Sequence, residues 1–151
     1  MTDMPLYLHF IFSFIATVGF AIFLNSPKST LFASGLVGAL GWTLYYYFIN
    51  WTSNDVLSNF FATLVVSLGS EILARKLKQP AIIFVIPGII PLVPGLGMYN
   101  TMLYLIQQDY NNGISKGFNV LFVAGAISLG VLIVSSLFKS FGIPQSKKAT
   151  K

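Results

Sequence analysis

Glu71 and Arg75 are the charged residues whose spacing most suggests chemistry, because they stand near the end of an apolar stretch. They are four positions apart, so on a helix they share one face, in the order that favours an ion pair. An ionisable residue inside an apolar span is a functional hypothesis by default. Glu71 would then hold an ammonium group or carry a coupling proton. The alternative is that the pair anchors a helix end at a membrane surface, and the sequence leaves both interpretations open.

A second feature is a run rich in proline and glycine within a later apolar stretch; it contains Pro87, Gly88, Pro91, Pro94 and Gly95. Each proline removes a backbone donor and clashes with the carbonyl four residues earlier, so the run predicts a broken helix. Irregular backbone at membrane depth is tolerated where it is buried in protein or lines a watery cavity, and transporters use such breaks for substrate sites. A half-helix starting after Gly95 would offer free N–H groups and a positive dipole end to a carboxylate. The alternative is a kinked helix that binds nothing.

Few other polar side chains lie near these features. Asn25, Tyr99 and Asn100 are uncharged donors or acceptors that could line a polar path. Asn25 equally suits a helix cap, and Tyr99 equally suits packing. His9 is expected at a membrane interface. Aromatic rings gather towards the end of the second apolar stretch, as is typical of the headgroup region: Trp42, Tyr45, Tyr46, Tyr47 and Trp51.

The composition indicates the class of protein that positions these residues. Of 151 residues, 55% are hydrophobic and 9% are charged, and the mean hydropathy is +0.76. Soluble domains carry about 25% charged residues, so this chain could not cover a globular surface with polar groups. One histidine, four acidic residues and no cysteine leave little for a metal site or for acid–base catalysis. We therefore predict an integral membrane protein that is not an enzyme, needs no cofactor and has no nucleic-acid partner.

The apolar stretches predict an all-α integral membrane protein, a bundle of five transmembrane helices with the fourth broken by the Pro/Gly-rich segment. A membrane helix needs about 20 apolar residues. The predicted spans form one transmembrane domain and cover residues 5–24, 31–49, 56–74, 81–106 (broken near 87–97) and 118–138, and a basic tail follows at 139–151. Small residues at Gly35, Gly38 and Gly41 and at Ala126 and Gly130 predict close helix contacts.

The distribution of positive charge predicts the orientation. With five spans, one side of the membrane holds Lys116 and the other holds the remaining eight lysines and arginines: Lys28, Arg75, Lys76, Lys78, Lys139, Lys147, Lys148 and Lys151. The positive-inside rule assigns the eight to the cytoplasm. The N-terminus is then outside and the C-terminus cytoplasmic. A four-span arrangement, with the fourth segment re-entrant, would separate the C-terminal lysines from the cluster at 75–78, and the charge bias argues against it.

The segments 70–81, 87–95 and Tyr99 together resemble the small membrane subunit of the threonine/serine exporter family, and residues 18–27 resemble its first helix. The resemblance covers roughly residues 18–137 and corresponds to the C-terminal membrane half of two-part exporters. It implies a larger partner subunit carrying the N-terminal half, threonine, serine or dicarboxylates such as succinate as substrates, and coupling to an ion gradient. The matching motif positions are Asn25, Glu71, Arg75, Pro87, Gly88, Pro91, Pro94, Gly95 and Tyr99.

These observations lead to a hypothesis with one rival. The leading hypothesis is a subunit of a secondary exporter in a bacterial cell (inner) membrane, in which the Pro/Gly break shapes the substrate site. Tyr99 and Asn100 would add hydrogen bonds there, while Glu71 and Arg75 would gate or couple at the cytoplasmic side. Assembly with further copies of itself is also open. The rival is a structural subunit that stabilises a partner without contacting substrate, and the scarcity of charge within the spans favours it.

Overall fold

The computed structural model describes residues 4–140, and these residues form an all-α protein. The predicted tail at 139–151 lies outside the described residues from position 141 onward. The six α-helices are α1 (Leu6–Phe23), α2 (Leu31–Thr52), α3 (Asp55–Lys76), α4 (Ile82–Ile89), α5 (Gly95–Ile106) and α6 (Tyr110–Ser140). Short 3₁₀ turns precede α2 (Lys28–Thr30) and follow α4 (Ile90–Leu92).

Helices α1, α2, α3 and α6 are each long and apolar enough to cross a membrane. Helix α4 with its 3₁₀ turn and helix α5 make a bent pair that would form a fifth span, with 48° between the two parts. Each part has about the length of half a bilayer core of about 30 Å. The predicted helical membrane bundle with a broken fourth segment is therefore confirmed.

The last helix is longer than the predicted span of 118–138. α6 begins at Tyr110 and has 31 residues, about 46 Å at 1.5 Å per residue, which exceeds the hydrocarbon thickness. Its first two turns are polar, and two glycines there let α5 pack closely. An added Cβ would come within 2.9 Å of Leu105 at Gly113 and within 3.2 Å of Thr101 at Gly117. Residues 110–117, which lie between the predicted spans 81–106 and 118–138, are thus helical, and α5 packs against them.

The long helices pack in the order α1, α2, α3, α6, α5, and α4 packs against α1, α2 and α3. Small residues set the close contacts, as their spacing predicted. An added Cβ at Gly38 would clash with Thr17 of α1, and one at Gly41 would clash with Val66 of α3. At Gly130 of α6 it would lie 3.1 Å from Thr63 of α3.

Helices α3 and α6 run in the same direction. Thr63 of α3 lies against Gly130 of α6, and twelve residues later Arg75 of α3 lies over Phe138 of α6. A re-entrant fourth segment would return the chain to the side where α3 ends and would make α6 antiparallel to α3. The parallel course therefore requires α4 and α5 together to carry the chain across, which supports five spans over four.

Candidate functional site

The pair predicted from sequence forms at the end of α3. Nη1 of Arg75 donates to Oε2 of Glu71 at 2.6 Å and also to the Glu71 backbone oxygen at 2.6 Å. The Glu71 side chain is 4% exposed and that of Arg75 is 19% exposed. The guanidinium carbon of Arg75 lies 4.4 Å from the centre of the Phe138 ring, a cation–π distance. The carboxylate is therefore buried with one cation, at the seam between α3 and α6.

The Pro/Gly run divides into a buried and an exposed part. Pro87 lies inside α4 and is buried, and Gly88 lets α4 approach the core, since an added Cβ would come within 3.2 Å of both Val66 and Val37. Pro91 lies in the 3₁₀ turn, where a missing N–H is tolerated. The helical path then ends because Val93 is extended, and α5 starts after Pro94.

The predicted residues beyond the break lie apart from the Glu71–Arg75 pair. Gly95 is exposed, and an added Cβ there would meet nothing within 4 Å. Tyr99 is 64% exposed and Asn100 is half-buried, on a helix that packs mainly against α6 and has no buried residue. Asn25 is exposed just after α1 with φ of 55°, a left-handed conformation that asparagine tolerates at helix ends. The structure thus joins Glu71 with Arg75 and buries Pro87 and Gly88, but it does not gather all ten predicted residues into one site.

An apolar groove of about 310 Å³ runs between α5 and α6. The hydroxyl of Thr101, its one polar side chain, already donates to the Gly97 carbonyl oxygen at 2.8 Å. The groove has no free charged group for a carboxylate or an ammonium ion, so its chemistry suits an apolar chain. Its lining consists of Met98, Thr101, Met102, Leu105, Gly117, Val120 and Leu121.

Two polar clusters at the opposite end of the bundle were not predicted. In the first, the His9 ring stacks on Tyr46 with 3.8 Å between ring centres, and His9 Nδ1 accepts a hydrogen bond from Trp42 Nε1 at 3.3 Å. The other ring nitrogen, Nε2, is buried and has no partner. Trp42 and Tyr46 thus face the bundle rather than forming part of a lipid-facing belt.

The second cluster joins α2 to α3. Oδ1 of Asp55 accepts from the Tyr45 hydroxyl at 2.8 Å and from Nδ2 of Asn59 at 3.2 Å. The spacing of Asp55 and Asn59 would have indicated a shared helix face, whereas the contact with Tyr45 depends on the hairpin between two helices. Asp55 is therefore a structural acceptor at the start of α3.

Comparison with known proteins agrees with these features. Residues 9–137 match the protein family described as "Threonine/Serine exporter, ThrE". A protein of Haemophilus influenzae named only as uncharacterized is 31% identical over 137 residues, which are 85% of this chain and 46% of that protein. A "Threonine/serine exporter" of Corynebacterium glutamicum is 26% identical over 119 residues, which are 79% of this chain and 24% of that protein.

The chain therefore spans less than half the length of these curated relatives. No solved structure matches it. The family match covers most of the described helices, including the Glu71–Arg75 pair and the complete Pro/Gly break. An apolar helical bundle that carries this match is a membrane protein of a transporter family: the chain belongs to the threonine/serine exporter family.

Proposed function

We propose that this chain is the membrane subunit of a secondary exporter for small amino acids such as threonine and serine, or for small carboxylates such as succinate. The observation that carries the proposal is the Glu71–Arg75 pair, buried between α3 and α6. Charged groups within membrane spans are costly, and they commonly mark substrate or ion pathways. A zwitterionic or anionic substrate needs such groups, and the named relative of Corynebacterium glutamicum is an exporter of threonine and serine.

The broken segment supplies the second part of the proposed path. Helix α5 starts at Gly95 beside the break, and an added Cβ at that position meets nothing within 4 Å. Free N–H groups at the start of a helix favour a carboxylate. In this proposal the start of α5 receives the substrate carboxylate, with Tyr99 and Asn100 on the same helix, and Glu71 and Arg75 act at the cytoplasmic side. Asn25 would lie at the cytoplasmic mouth.

A larger partner subunit is part of the proposal. Helix α5 packs mainly against α6 and buries none of its residues, so one of its faces is free to receive another protein. The matched residues make up less than half of either relative, 46% of one and 24% of the other. We propose that the partner carries the N-terminal half of the exporter and completes the substrate path beside α5. The complex would lie in a bacterial cell membrane, with the N-terminus of this chain outside and its C-terminus in the cytoplasm.

The test is efflux of preloaded, labelled threonine, serine and succinate from cells that express this chain alone, the candidate partner alone, or both. We expect efflux with both subunits, and the label that leaves fastest identifies the substrate class. An absence of efflux for every label, with both proteins inserted in the membrane, would refute the exporter proposal for these substrates.

Variants then test the role of the break. Replacing Pro94 and Gly95 by alanine would extend α5 backwards and remove the free N–H groups, so efflux is expected to fall about tenfold or more, the cost of roughly one strong hydrogen bond to a carboxylate. Gly125→Ala is the matched control, because an added Cβ there also meets nothing within 4 Å. Normal efflux of the double variant, at normal expression, would eliminate the break as the substrate site.

A structural subunit is the second candidate. Within residues 4–140, Glu71 is the one acidic residue that lies in a helix beyond its first turn, and α5 leaves one face for a partner. If the chain only stabilises a partner, Glu71→Gln should leave efflux unchanged, whereas deletion of the chain should lower the amount of partner in the membrane. The exporter proposal instead expects Glu71→Gln to reduce efflux at a normal partner level.

A further inference from the structure

Helix α3 carries a row of buried polar side chains on one face, which we call the α3 polar face; it comprises Asn59, Thr63, Ser67, Ser70 and Glu71. Each of these residues is at most 3% exposed. Asn59, Thr63, Ser67 and Ser70 follow each other at intervals of three or four residues and so share one side of the helix, with Glu71 at the edge of that side. From the first to the last, the face extends about 18 Å along the helix, more than half of the apolar thickness of a bilayer.

Four polar atoms of this face are buried and have no hydrogen-bond partner: Oδ1 of Asn59, Oγ1 of Thr63, Oγ of Ser67 and Oγ of Ser70. Nε of Arg75 continues the series beyond Glu71. Buried polar atoms in folded proteins are nearly always paired with protein or with ordered water. A series of such atoms along one face therefore points to bound water or another polar ligand.

Several hydroxyl groups elsewhere in the bundle behave differently. Six on other helices donate to the carbonyl four residues earlier in their own helix: Ser13, Thr17, Thr43, Thr52, Thr101 and Ser128. On α3 itself, Ser58 makes the same kind of bond to the Asn54 carbonyl oxygen. This bond is the usual way to satisfy serine or threonine within a helix. Thr63, Ser67 and Ser70 do not make it, and their hydroxyl groups are left without a protein partner.

The two ends of the α3 polar face meet groups that can exchange a proton. At the outer end, Asn59 donates to Asp55, which lies at the start of α3 and is half-exposed. At the inner end is the Glu71 carboxylate with Arg75 at 2.6 Å. The helices packed on α3 add little charge near Glu71: α2 and α4 contain no charged residue, and α6 carries Lys139 in its last turn.

The spacing of the hydroxyl groups fits single water molecules. Residues four apart on a helix are about 6 Å apart along the axis. One water that makes two hydrogen bonds of about 2.8 Å bridges at most about 5.6 Å, so one water, with side-chain reach, or two waters span each step. Each hydroxyl group both donates and accepts, so a file of alternating water and hydroxyl groups is continuous in either direction. A threonine or succinate molecule is too large for this series, because its members are fully enclosed by packed helices.

We propose that the α3 polar face holds a file of water molecules through which the Glu71 carboxylate exchanges its proton with the outer surface. A proton from water at the Asp55 end passes along the file and binds Glu71, which becomes neutral and releases Arg75 from the ion pair. Loss of the same proton to water at the inner end restores the pair, so that one proton crosses in each cycle. This assignment deepens the proposed exporter function and rests on it for its biological role, but the water file itself is testable without transport.

The test uses the full-length protein in lipid vesicles. Infrared spectroscopy follows the band of the protonated Glu71 carboxyl group after a fast drop in external pH in sodium-free buffer. The band is assigned by its absence from Glu71→Gln. In Thr63→Val/Ser67→Ala we expect the band to appear about tenfold more slowly, because the water file loses about one bridging hydrogen bond. These substitutions remove unpartnered hydroxyl groups with little change of shape, so the helix should remain folded. The single variant Ser67→Ala, expected to slow the band in the same direction, serves if the double variant does not fold.

Ser128→Ala is the matched control, because Ser128 is exposed and its hydroxyl group already bonds to the Ala124 carbonyl oxygen at 2.9 Å. Its rate should equal that of the unaltered protein. An unchanged rate in Thr63→Val/Ser67→Ala and in Ser67→Ala would overturn the water file. If the Glu71 band responds to sodium chloride but not to choline chloride at constant pH, Glu71 binds sodium, and the proposal that it exchanges a proton is overturned. Normal proton exchange at Glu71 without any efflux would support the file while refuting the exporter function.

Discussion

Removing Arg75 should destabilise this protein more than removing any neighbouring cation. In Arg75→Met the Glu71 carboxylate, 4% exposed, keeps its position but loses its partner. Breaking one side of a buried ion pair costs about 3–5 kcal/mol. Because the Arg75 side chain is 19% exposed, water screens the pair in part, and the lower end of about 3 kcal/mol is the appropriate value. Loss of the contact with Phe138 adds about 0.5–1 kcal/mol.

A double-mutant cycle separates these contributions. Glu71→Gln/Arg75→Met leaves no buried charge, so it should recover much of the stability and fall about 1.5–2 kcal/mol below the unaltered protein, the cost of about one hydrogen bond and of the contact with Phe138. Lys76→Met is the matched control: Lys76 is the exposed neighbour in the same last turn, and its loss should cost about 0.3–1 kcal/mol.

The assay is reversible unfolding of the purified protein in mixed micelles, with helix content followed by circular dichroism. We expect Arg75→Met to unfold at a much lower denaturant concentration than Lys76→Met. The double variant should unfold at a concentration close to that of Lys76→Met. An Arg75→Met variant as stable as Lys76→Met would mean that Glu71 is not held as a buried anion. A double variant as unstable as Arg75→Met would show that the loss comes from packing rather than from the unpaired charge.

Three further predictions concern the α1–α2 contact, the orientation and the contact of Trp42 with His9. Gly38→Ala should cost about 1–3 kcal/mol of unfolding free energy, because its Cβ would clash with Thr17. Gly19→Ala should be neutral or stabilising, because an added Cβ there meets no atom within 4 Å. Unfolding in micelles compares the two variants, and equal stability would contradict the close α1–α2 contact. Because the chain has no cysteine, a single Cys at Asn112 or at Ser29 can be labelled with a membrane-impermeant maleimide in intact cells. Asn112→Cys should react from outside and Ser29→Cys only after permeabilisation, and the reverse pattern would invert the proposed orientation. His9→Phe should remove the acceptor for Trp42 and shift its fluorescence; it is measured in a Trp51→Phe background, which leaves Trp42 as the one tryptophan. An unchanged spectrum would argue against the hydrogen bond.

The helical framework could be predicted from sequence because long apolar runs have few alternatives in a bilayer. The breaks in the fourth segment followed from proline chemistry, and α5 does start at Gly95. The start of α6 could not be predicted from hydropathy, since residues 110–117 are polar. That part of the helix is stabilised by contacts of Gly113 and Gly117 with α5, and such contacts depend on the hairpin already being formed.

The candidate site was predictable only where its residues are close in sequence. Glu71 and Arg75 share a helix face, so their spacing was sufficient. The α3 polar face has the same kind of signal, a period of three to four residues from position 59 to position 71, and it could have been found in the sequence. The contact of Tyr45 with Asp55 and that of Trp42 with His9 join different helices, and no local spacing indicates them.

The charged pair and the break in the helix lie on different parts of the bundle, and this separation bears on how a zwitterion could be bound. The ion pair lies on α3 and contacts α6, whereas the break separates α4, packed among α1 to α3, from α5, packed mainly on α6. A substrate carboxylate at the start of α5 would have no charged side chain beside it from the described part of α5, since residues 95–106 contain none. In the proposed path, the charged group that completes recognition would therefore come from another helix of this chain or from a second protein. Because α5 exposes most of its surface and the relatives carry far more chain, the second protein requires less rearrangement of this bundle.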